Sequence, residues 1–175
     1  MIGKTLFILS FLLFITSAIA FQVDVQKVCF SPNGGCTTAI IEKIDNAKSE
    51  ILIQAYSFTS AQIAKALIAA HKRGVKIETI LDKSNVKRNY SSATFLSNNS
   101  IPVFIDAIHA IAHNKIIIID RETVISGSFN FTKAAEEKNA ENLLILKSKE
   151  LAKTYIHNWI KHREHSEMYK GNLIN

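Results

Sequence analysis

Hydrophobic and polar positions after residue 20 follow two alternating patterns. Short runs rich in Ile, Leu and Val predict buried β-strands, whereas segments with an apolar residue every three or four positions predict amphipathic helices. The predicted strands cover residues 23–30, 51–56, 75–81, 101–105, 115–120, 123–126 and 142–146. The predicted helices begin at residue 37 or 38, at 60, near 93, at 132 and at 148. This alternation predicts an α/β fold with a mixed, largely buried β-sheet flanked by helices on both faces.

Residues at the ends of the predicted helices support these boundaries. Thr37 or Thr38 is suited to cap the first helix, and Ser60 the second, because a hydroxyl oxygen accepts a hydrogen bond from the free N–H groups of the first turn. Gly74 follows the second helix, where a left-handed residue commonly ends a helix. The polar and basic segment 82–92 is predicted to be a loop that leads into a short helix.

Residues 1–20 have a separate pattern that is typical of a secretory signal peptide. Lys4 gives a positive start, residues 5–17 form an apolar run, and residues 18–20 form a small-x-small cleavage site. The run is shorter than the ~20 apolar residues of a transmembrane helix, although an uncleaved anchor is the alternative. We therefore expect a secreted or periplasmic protein without a stable transmembrane anchor, in which residues 21–175 form a single domain.

The composition is that of a globular protein, with 47% hydrophobic and 21% charged residues and only 6 Gly and 2 Pro. These values exclude a collagenous, low-complexity or wholly disordered chain. The formal net charge is +6, and cleavage of the leader would remove one positive charge, that of Lys4. A positive balance favours a polyanion or an anionic surface as the partner.

The two cysteines, Cys29 and Cys36, bracket a loop that contains one Pro and two Gly. In an exported protein the oxidising compartment favours a disulfide between them, which we expect. A reactive thiol needs an activating environment, and two cysteines without further Cys or His nearby make a poor zinc site.

A candidate catalytic cluster surrounds the most apolar predicted strand after the leader. His113 and Lys115 share one face of it, because successive side chains of a strand point to opposite faces, while Asp120 falls on the other face. Ser128 and Asn130, two positions apart on the adjacent predicted strand, also share a face. They are expected to meet His113 and Lys115 across a hairpin. The cluster would combine a titratable base, a positive charge, a hydroxyl and an amide.

Such a cluster suits a phosphodiester. The non-bridging oxygens accept hydrogen bonds from Lys, Asn and Ser, and a neutral imidazole can attack the phosphorus. Glu141, at the start of the next predicted strand, is expected to accept the far ring N–H of His113, which would fix the tautomer and stabilise the imidazolium.

Six residues follow the pattern His-x-Lys-x4-Asp-x6-Gly-Ser-x-Asn, namely His113, Lys115, Asp120, Gly127, Ser128 and Asn130. This pattern resembles the signature of the phospholipase D superfamily. Segments 55–58, 72–75, 127–135 and 139–142 are similar to its small single-motif branch of bacterial periplasmic endonucleases and secreted phospholipase D-like proteins. The resemblance extends over essentially all of residues 21–175, and it implies a phospholipase D/nuclease-like fold and a phospholipase D-like catalytic domain.

The resemblance also implies a two-step, metal-independent hydrolysis that needs no cofactor. One histidine forms a covalent phosphohistidine, and a second protonates the leaving oxygen and then activates water, which contributes ~10²- to 10⁴-fold in rate. Since this chain has one motif, the resemblance implies a homodimer in which the two copies of His113 meet. It assigns phosphate contacts to Lys115 and Asn130, with Ser128 in support. Asp120 belongs to the motif, but its parity favours a role in organising the structure or the dimer.

Two further groups of polar residues lie outside this motif. Lys83, Lys87 and Arg88 are candidate substrate-binding residues that would guide a nucleic-acid backbone or a lipid headgroup, the alternative being an ordinary solvated loop. No metal site is predicted. His109 lies four residues before His113, a spacing that places two side chains on one face of a helix, but this segment is predicted to be a loop or strand, and no carboxylate completes a ligand set. The remaining histidines are predicted to lie on solvated helix faces: His71, His157, His162 and His165.

The leading hypothesis is therefore a secreted phospholipase D-type phosphodiesterase. The positive charge and the similarity to the short endonuclease branch favour nucleic acid as the substrate. The export signal and the related secreted proteins favour a phospholipid, although the sequence shows no hydrophobic lid or interfacial helix. The alternative is a non-catalytic module that binds phosphate or nucleic acid.

Overall fold

The fold is given by a computed structural model that describes residues 22–86 and 92–171. Its strands are β1 (Asp24–Ser31), β2 (Glu50–Ala55), β3 (Lys76–Asp82), β4 (Val103–Asp106), β5 (Lys115–Ile119), β6 (Thr123–Gly127), β7 (Glu141–Lys147) and β8 (Glu167–Met168). Its α-helices are α1 (Cys36–Asn46), α2 (Ala61–Lys72), α3 (Ser92–Ser97), α4 (Lys133–Glu137) and α5 (Lys149–Glu164). The predicted α/β class is confirmed, β8 is an addition to the predicted strands, and the predicted leader lies outside the described residues.

Within the described residues the strands form one eight-stranded sheet in the order β1-β7-β6-β5-β2-β3-β4-β8. Strands β2, β3 and β4 are parallel, and every other neighbouring pair is antiparallel, so the sheet is mixed as predicted. β5 lies at the centre, between the hairpin strand β6 and the buried strand β2. This position places the residues that flank β5 beside the ends of both neighbours.

Helices cover both faces of the sheet because the strand side chains alternate between two cores. Ile53 and Ile117 belong to the core that includes residues of α1, α2, α3 and α4. Leu52 and Ile118 point to the other face, where α5 supplies Trp159, whose indole N–H donates to the carbonyl of Ile53 at 2.9 Å. No helix in the described part of the chain is long and apolar enough to span a membrane.

The first helix begins earlier than its predicted threonine caps. Gly35, with φ +74°, occupies the N-cap position without a side-chain cap, and Cys36 is the first helical residue. The carboxylate of Glu136 in α4 accepts hydrogen bonds from the backbone N–H groups of Gly35 and Thr37, at 2.9 and 2.7 Å. A residue about a hundred positions away therefore replaces the local cap. The second helix is capped as predicted, by the Ser60 hydroxyl.

Cys29 and Cys36 are free buried thiols in this structure, which corrects the predicted disulfide. Both belong to the core on the side of α1. Burial, together with the neighbouring Cys29, raises the pKa of Cys36 to about 12. A thiol that resists ionisation in this way is inert, because the thiolate is the reactive form.

Candidate active site

His113 lies two residues before β5 with its side chain exposed. Its imidazole packs against the ring of Tyr56, with 4.6 Å between the ring centroids. The pairing of Ala55 with Lys115 and a 2.7 Å hydrogen bond from the Tyr56 N–H to the Asn114 carbonyl bring these two segments together. The imidazole is thus held on one side and open to solvent.

Lys115, the first residue of β5, is buried, with 7% of its surface exposed. Its Nζ donates to the carbonyl of His113 at 2.6 Å and lies 5.0 Å from the centroid of the Tyr56 ring. Burial lowers the pKa of Lys115 below its ordinary value, and the negative charge of Glu141 opposes that effect. A partly desolvated ammonium interacts more strongly with an anion than a solvated one does, because the local dielectric constant is lower.

Gly127 and Ser128 lie close to the start of β7. Gly127 has φ +141°, and a Cβ at this position would lie 2.4 Å from the carbonyl oxygen of Asn142, so the approach requires glycine. The Ser128 N–H donates to Asn142 Oδ1 at 3.1 Å, and the Ser128 hydroxyl accepts from the Asn142 N–H at 3.0 Å. Strand β6 ends at Gly127. Ser128 and Asn130 therefore lie after the strand and not on it, which corrects the prediction. Ser128 is positioned by its hydrogen bonds to Asn142 of β7 and not by pairing across the hairpin.

Asn130 lies between two buried aromatic residues, Phe129 and Phe131. Phe131 forms an isolated parallel bridge with Phe58, and its backbone carbonyl accepts hydrogen bonds from two residues that precede α2. Asn130 Oδ1 is buried and has no hydrogen-bond partner among the described residues. A buried amide oxygen without a partner is uncommon in folded proteins, and here it belongs to a side chain that the motif assigns to phosphate binding.

Glu141 opens β7, and its Oε1 accepts a hydrogen bond from the side-chain amide of Asn139 at 3.1 Å. Burial lowers the pKa of Lys115, and the negative charge of Glu141 partly offsets that effect. Within residues 22–86 and 92–171 no hydrogen bond joins Glu141 to the ring of His113, which corrects that predicted contact.

Two clefts border these residues. The larger, of about 580 Å³, is lined by His113, Lys115, Gly127 and three residues of α5 that the sequence did not indicate: Thr154, Tyr155 and Asn158. The smaller, of about 280 Å³, is lined by Ser128, Glu141, Asn142 and two residues of β1, Phe30 and Ser31. The sequence analysis did not identify Tyr56 as a site residue. The feature that could have indicated it is its position directly after β2, the strand that pairs with β5.

Asp120 lies at the opposite end of β5 from His113. Its carboxylate accepts hydrogen bonds from the N–H groups of Lys48, Ser49 and Glu50, at 2.7 to 3.1 Å, and from the Ser49 hydroxyl at 2.8 Å. These contacts fasten the connection between α1 and β2. Asp120 therefore supports the fold and does not lie in the candidate catalytic cluster. This agrees with its odd spacing from His113 and Lys115, which predicted the opposite face of the strand.

The remaining candidate residues are placed as follows. Lys83 is exposed and its Nζ donates to the His109 carbonyl at 2.8 Å, while Lys87 and Arg88 lie outside the described residues. His157 is exposed on α5, as predicted. The placement predicted for His162 and His165 is corrected, since both bond to the buried carboxylate of Asp106 instead of lying free in solvent.

Comparison with known proteins identifies the class that this fold and cluster define. The family profile described as cardiolipin synthase, PLD-like domain matches residues 40–162. Over 137 residues the chain is 49% identical to a phospholipase D of Rickettsia felis, covering 78% of this chain and 68% of that relative. Over 110 residues it is 31% identical to the mitochondrial cardiolipin hydrolase of Mus musculus, covering 63% of this chain and 50% of the relative.

A solved structure gives the same result. Nuc of Salmonella typhimurium, a phospholipase D family member, matches with a TM-score of 0.81 and 38% sequence identity, covering 86% of this chain and all of Nuc. The chain belongs to the phospholipase D superfamily of phosphodiesterases.

Proposed function

We propose that the protein is a secreted phosphodiesterase of the phospholipase D type that works through a covalent phosphohistidine on His113. The observation that carries the proposal is the pairing of an exposed imidazole with a buried ammonium at the rim of one cleft. In the proposal residues 1–20 are a cleaved signal peptide and residues 21–175 form the catalytic domain.

The first step would transfer the phosphoryl group to the protein. A nitrogen of the neutral His113 ring attacks the phosphorus, a P–N bond forms, and the P–O bond to the alcohol breaks while a second imidazolium gives its proton to the leaving oxygen. In the second step that imidazole takes a proton from water, the water oxygen attacks the phosphorus, and the P–N bond breaks. Lys115 and Asn130 would hold the non-bridging oxygens, with Lys115 supplying the positive charge that a metal ion supplies in other phosphodiesterases.

The second imidazole would come from another copy of the chain. Of the other five histidines, His109, His162 and His165 bond to Asp106, and His71 lies beside the Val75 carbonyl at the end of α2. His157 is exposed on α5 and does not line the cleft that contains His113. We therefore propose a homodimer in which His113 of both copies lies at a shared site and supplies both catalytic groups.

We propose a phospholipid as the principal substrate class. The segment that leads into His113 exposes two large apolar side chains, Ile108 at 69% and Ile111 at 57%. Exposed isoleucines next to a catalytic residue are suited to contact the acyl region of a bilayer, where apolar burial is favourable. The names of the relatives, phospholipase D and cardiolipin hydrolase, support the same class.

Nucleic acid is the second candidate. The net charge of +6 favours a polyanion, and the exposed Lys83 lies beside the segment that carries His109. Parallel assays on phosphatidylcholine vesicles, cardiolipin vesicles, plasmid DNA and RNA would separate the two classes.

The covalent intermediate provides the direct test. Purified protein in a chelator is mixed with phospholipid vesicles labelled in the phosphate, quenched, and analysed under alkaline conditions that preserve phosphohistidine. We expect labelled protein, and we expect His113→Asn to remain unlabelled and to lose at least about 10³-fold in turnover. His157→Asn, on the exposed face of α5, is the matched control and should be labelled as the parent is.

Circular dichroism and the thermal midpoint would show that His113→Asn folds. Equal labelling of His113→Asn and the parent would refute the nucleophile. Phosphate or DNA binding without any turnover on the four substrates would instead support a non-catalytic binding module.

A further inference from the structure

Four potential metal ligands converge away from the catalytic cluster. Asp106, the last residue of β4, has a fully buried side chain, and His109 follows three residues later. His162 lies in the last turn of α5, and His165 is its C-cap. One ligand atom from each of the four side chains lies within 4.8 Å of the other three.

The three imidazoles all direct a ring nitrogen at the same carboxylate. His109 Nδ1 lies 2.9 Å from Oδ1, His162 Nδ1 lies 2.7 Å from Oδ2, and His165 Nε2 lies 3.3 Å from Oδ2 of Asp106. The ring centroids are 4.9 to 5.3 Å apart, so the rings surround a common point. Each of these nitrogens presents a lone pair when the proton of the neutral ring is on the other nitrogen.

The charge of the cluster also suits a cation. The Asp106 side chain is fully buried, and all three of the imidazoles around it lie within hydrogen-bond distance of its carboxylate oxygens. A carboxylate is the one group among these four side chains that supplies a negative charge to a bound cation. Buried charges of this kind are paired or coordinate metals in folded proteins.

We propose that Asp106, His109, His162 and His165 bind one divalent transition-metal ion of the zinc type. Imidazole nitrogen and carboxylate oxygen are normal zinc ligands, and tetrahedral bonds of 2.0–2.2 Å place neighbouring ligand atoms about 3.3–3.6 Å apart. The ring nitrogens lie 2.7 to 3.3 Å from the Asp106 oxygens, and the four ligand atoms lie within 4.8 Å of one another, so the rings would move away from the carboxylate as they bind an ion. Side-chain exposures of 44% for His109 and 28% for His165 leave the ion a route from solvent.

Four protein ligands define a structural site, since catalytic zinc sites keep one position open. The ion would join the end of α5 to β4 and to the segment 107–112, which leads directly into His113. The same segment is already fastened by the Ala112 N–H, which donates to Asp82 Oδ2 at 2.8 Å. The ion would therefore stabilise the segment that positions His113 without contacting the reacting atoms. The metal-independent mechanism proposed above is unaffected.

Zinc binding to the untagged, chelator-stripped protein tests this proposal. We expect about one equivalent of Zn²⁺ to remain bound after desalting, and the thermal midpoint to rise by at least about 5 °C at a free zinc concentration a hundredfold above the dissociation constant. Co²⁺ in place of Zn²⁺ should give the visible absorption of a tetrahedral ion. None of these readouts depends on enzymatic activity.

Matched variants locate the ion. His109 and His165 are partly exposed, so their substitution should disturb the fold little. His109→Gln and His165→Gln should each lower the zinc affinity at least about tenfold and remove most of the zinc-induced rise in thermal midpoint. His157→Gln on α5, and His113→Asn at the catalytic cluster, should retain the equivalent of zinc. The proposal is overturned if the parent retains no zinc, or if the double variant His109→Gln/His165→Gln retains as much as the parent.

Discussion

At the scale of single residues, the two ends of β5 have separate tasks. His113 and Lys115, the proposed catalytic groups, lie before the strand and at its first position. Asp120, directly after the strand, accepts hydrogen bonds from three consecutive backbone N–H groups of residues 48–50. A substitution at Asp120 should therefore change stability, and one at His113 should change activity.

Asp120→Asn is expected to lower stability in a pH-dependent way. Burial opposes ionisation of Asp120, but the hydrogen bonds from Lys48, Ser49 and Glu50 outweigh it, so its pKa is lowered in the folded state. A lowered pKa stabilises the fold above the ordinary carboxyl pKa, and this contribution is lost as the pH falls through the folded value. At pH 7 we expect a loss of about 1–2 kcal/mol, or about 2–8 °C in thermal midpoint.

The measurement is the thermal midpoint of parent and variant at pH 7 and near pH 3. The difference between them should shrink at the lower pH. Asp45→Asn, on the exposed surface of α1, is the control and should change little. An equal loss for Asp120→Asn at both pH values would show that its charge is not what stabilises the connection.

At the scale of elements, the segment between β4 and β5 combines three features in a few residues. It carries His109 of the proposed metal site, it exposes Ile108 and Ile111, and it ends at His113. Its position is set by the strands on either side and by hydrogen bonds to Asp82 and Lys83. We therefore expect changes on its apolar surface to affect substrate access rather than folding.

Ile108→Ser/Ile111→Ser is expected to lower activity on phospholipid vesicles by about tenfold or more, since transfer of one isoleucine from water to an apolar phase contributes roughly 1.5–3 kcal/mol. Activity on a short-chain, monomeric phosphodiester should remain near that of the parent. Ile160→Ser on α5, which removes another exposed isoleucine, is the control. A parallel loss on the vesicle and monomeric substrates would contradict membrane contact by this segment.

The sequence was informative where the relevant contacts are local. Alternation identified the strands, and the catalytic motif could be recognised because its six residues lie between positions 113 and 130. The cap of α1 was not predicted because it is Glu136, from a distant helix. The Asp106 cluster was not predicted either: Asp106 and His162 are 56 positions apart, and the short strand β8 that pairs with β4 next to them has no periodic pattern.

At the scale of the whole molecule, α5 packs against β2, β4, β5 and β6 and leaves apolar side chains of β1 exposed on the same side of the sheet. Cys29 and Ser31 are buried, whereas Val28 and Phe30 point to the opposite face with exposures of 48% and 67%. Phe30 also lines the smaller cleft with Ser128 and Glu141. This apolar surface, next to the site for which we propose a second imidazole, is suited to contact another copy of the chain in the proposed homodimer.

Phe30→Asp is therefore expected to weaken the proposed homodimer and to reduce turnover by at least tenfold at low protein concentration, because it places a charge in an apolar contact. Analytical ultracentrifugation and activity should change together, and raising the protein concentration should restore both. Phe95→Asp, an exposed aromatic residue of α3, is the control. A monomeric variant with full turnover would rule out the shared site.

The place of β1 in the sheet has a further consequence for how the chain assembles. In the described structure this first strand pairs with β7 alone, from Asp24 opposite Lys147 to Ser31 opposite Glu141. During synthesis the backbone groups of β1 therefore have no strand partner until residues 141–147 have emerged, and closure of so long a loop is slow. A nascent chain of this topology leaves β1 unpaired, and open to chaperones, until β7 has been made.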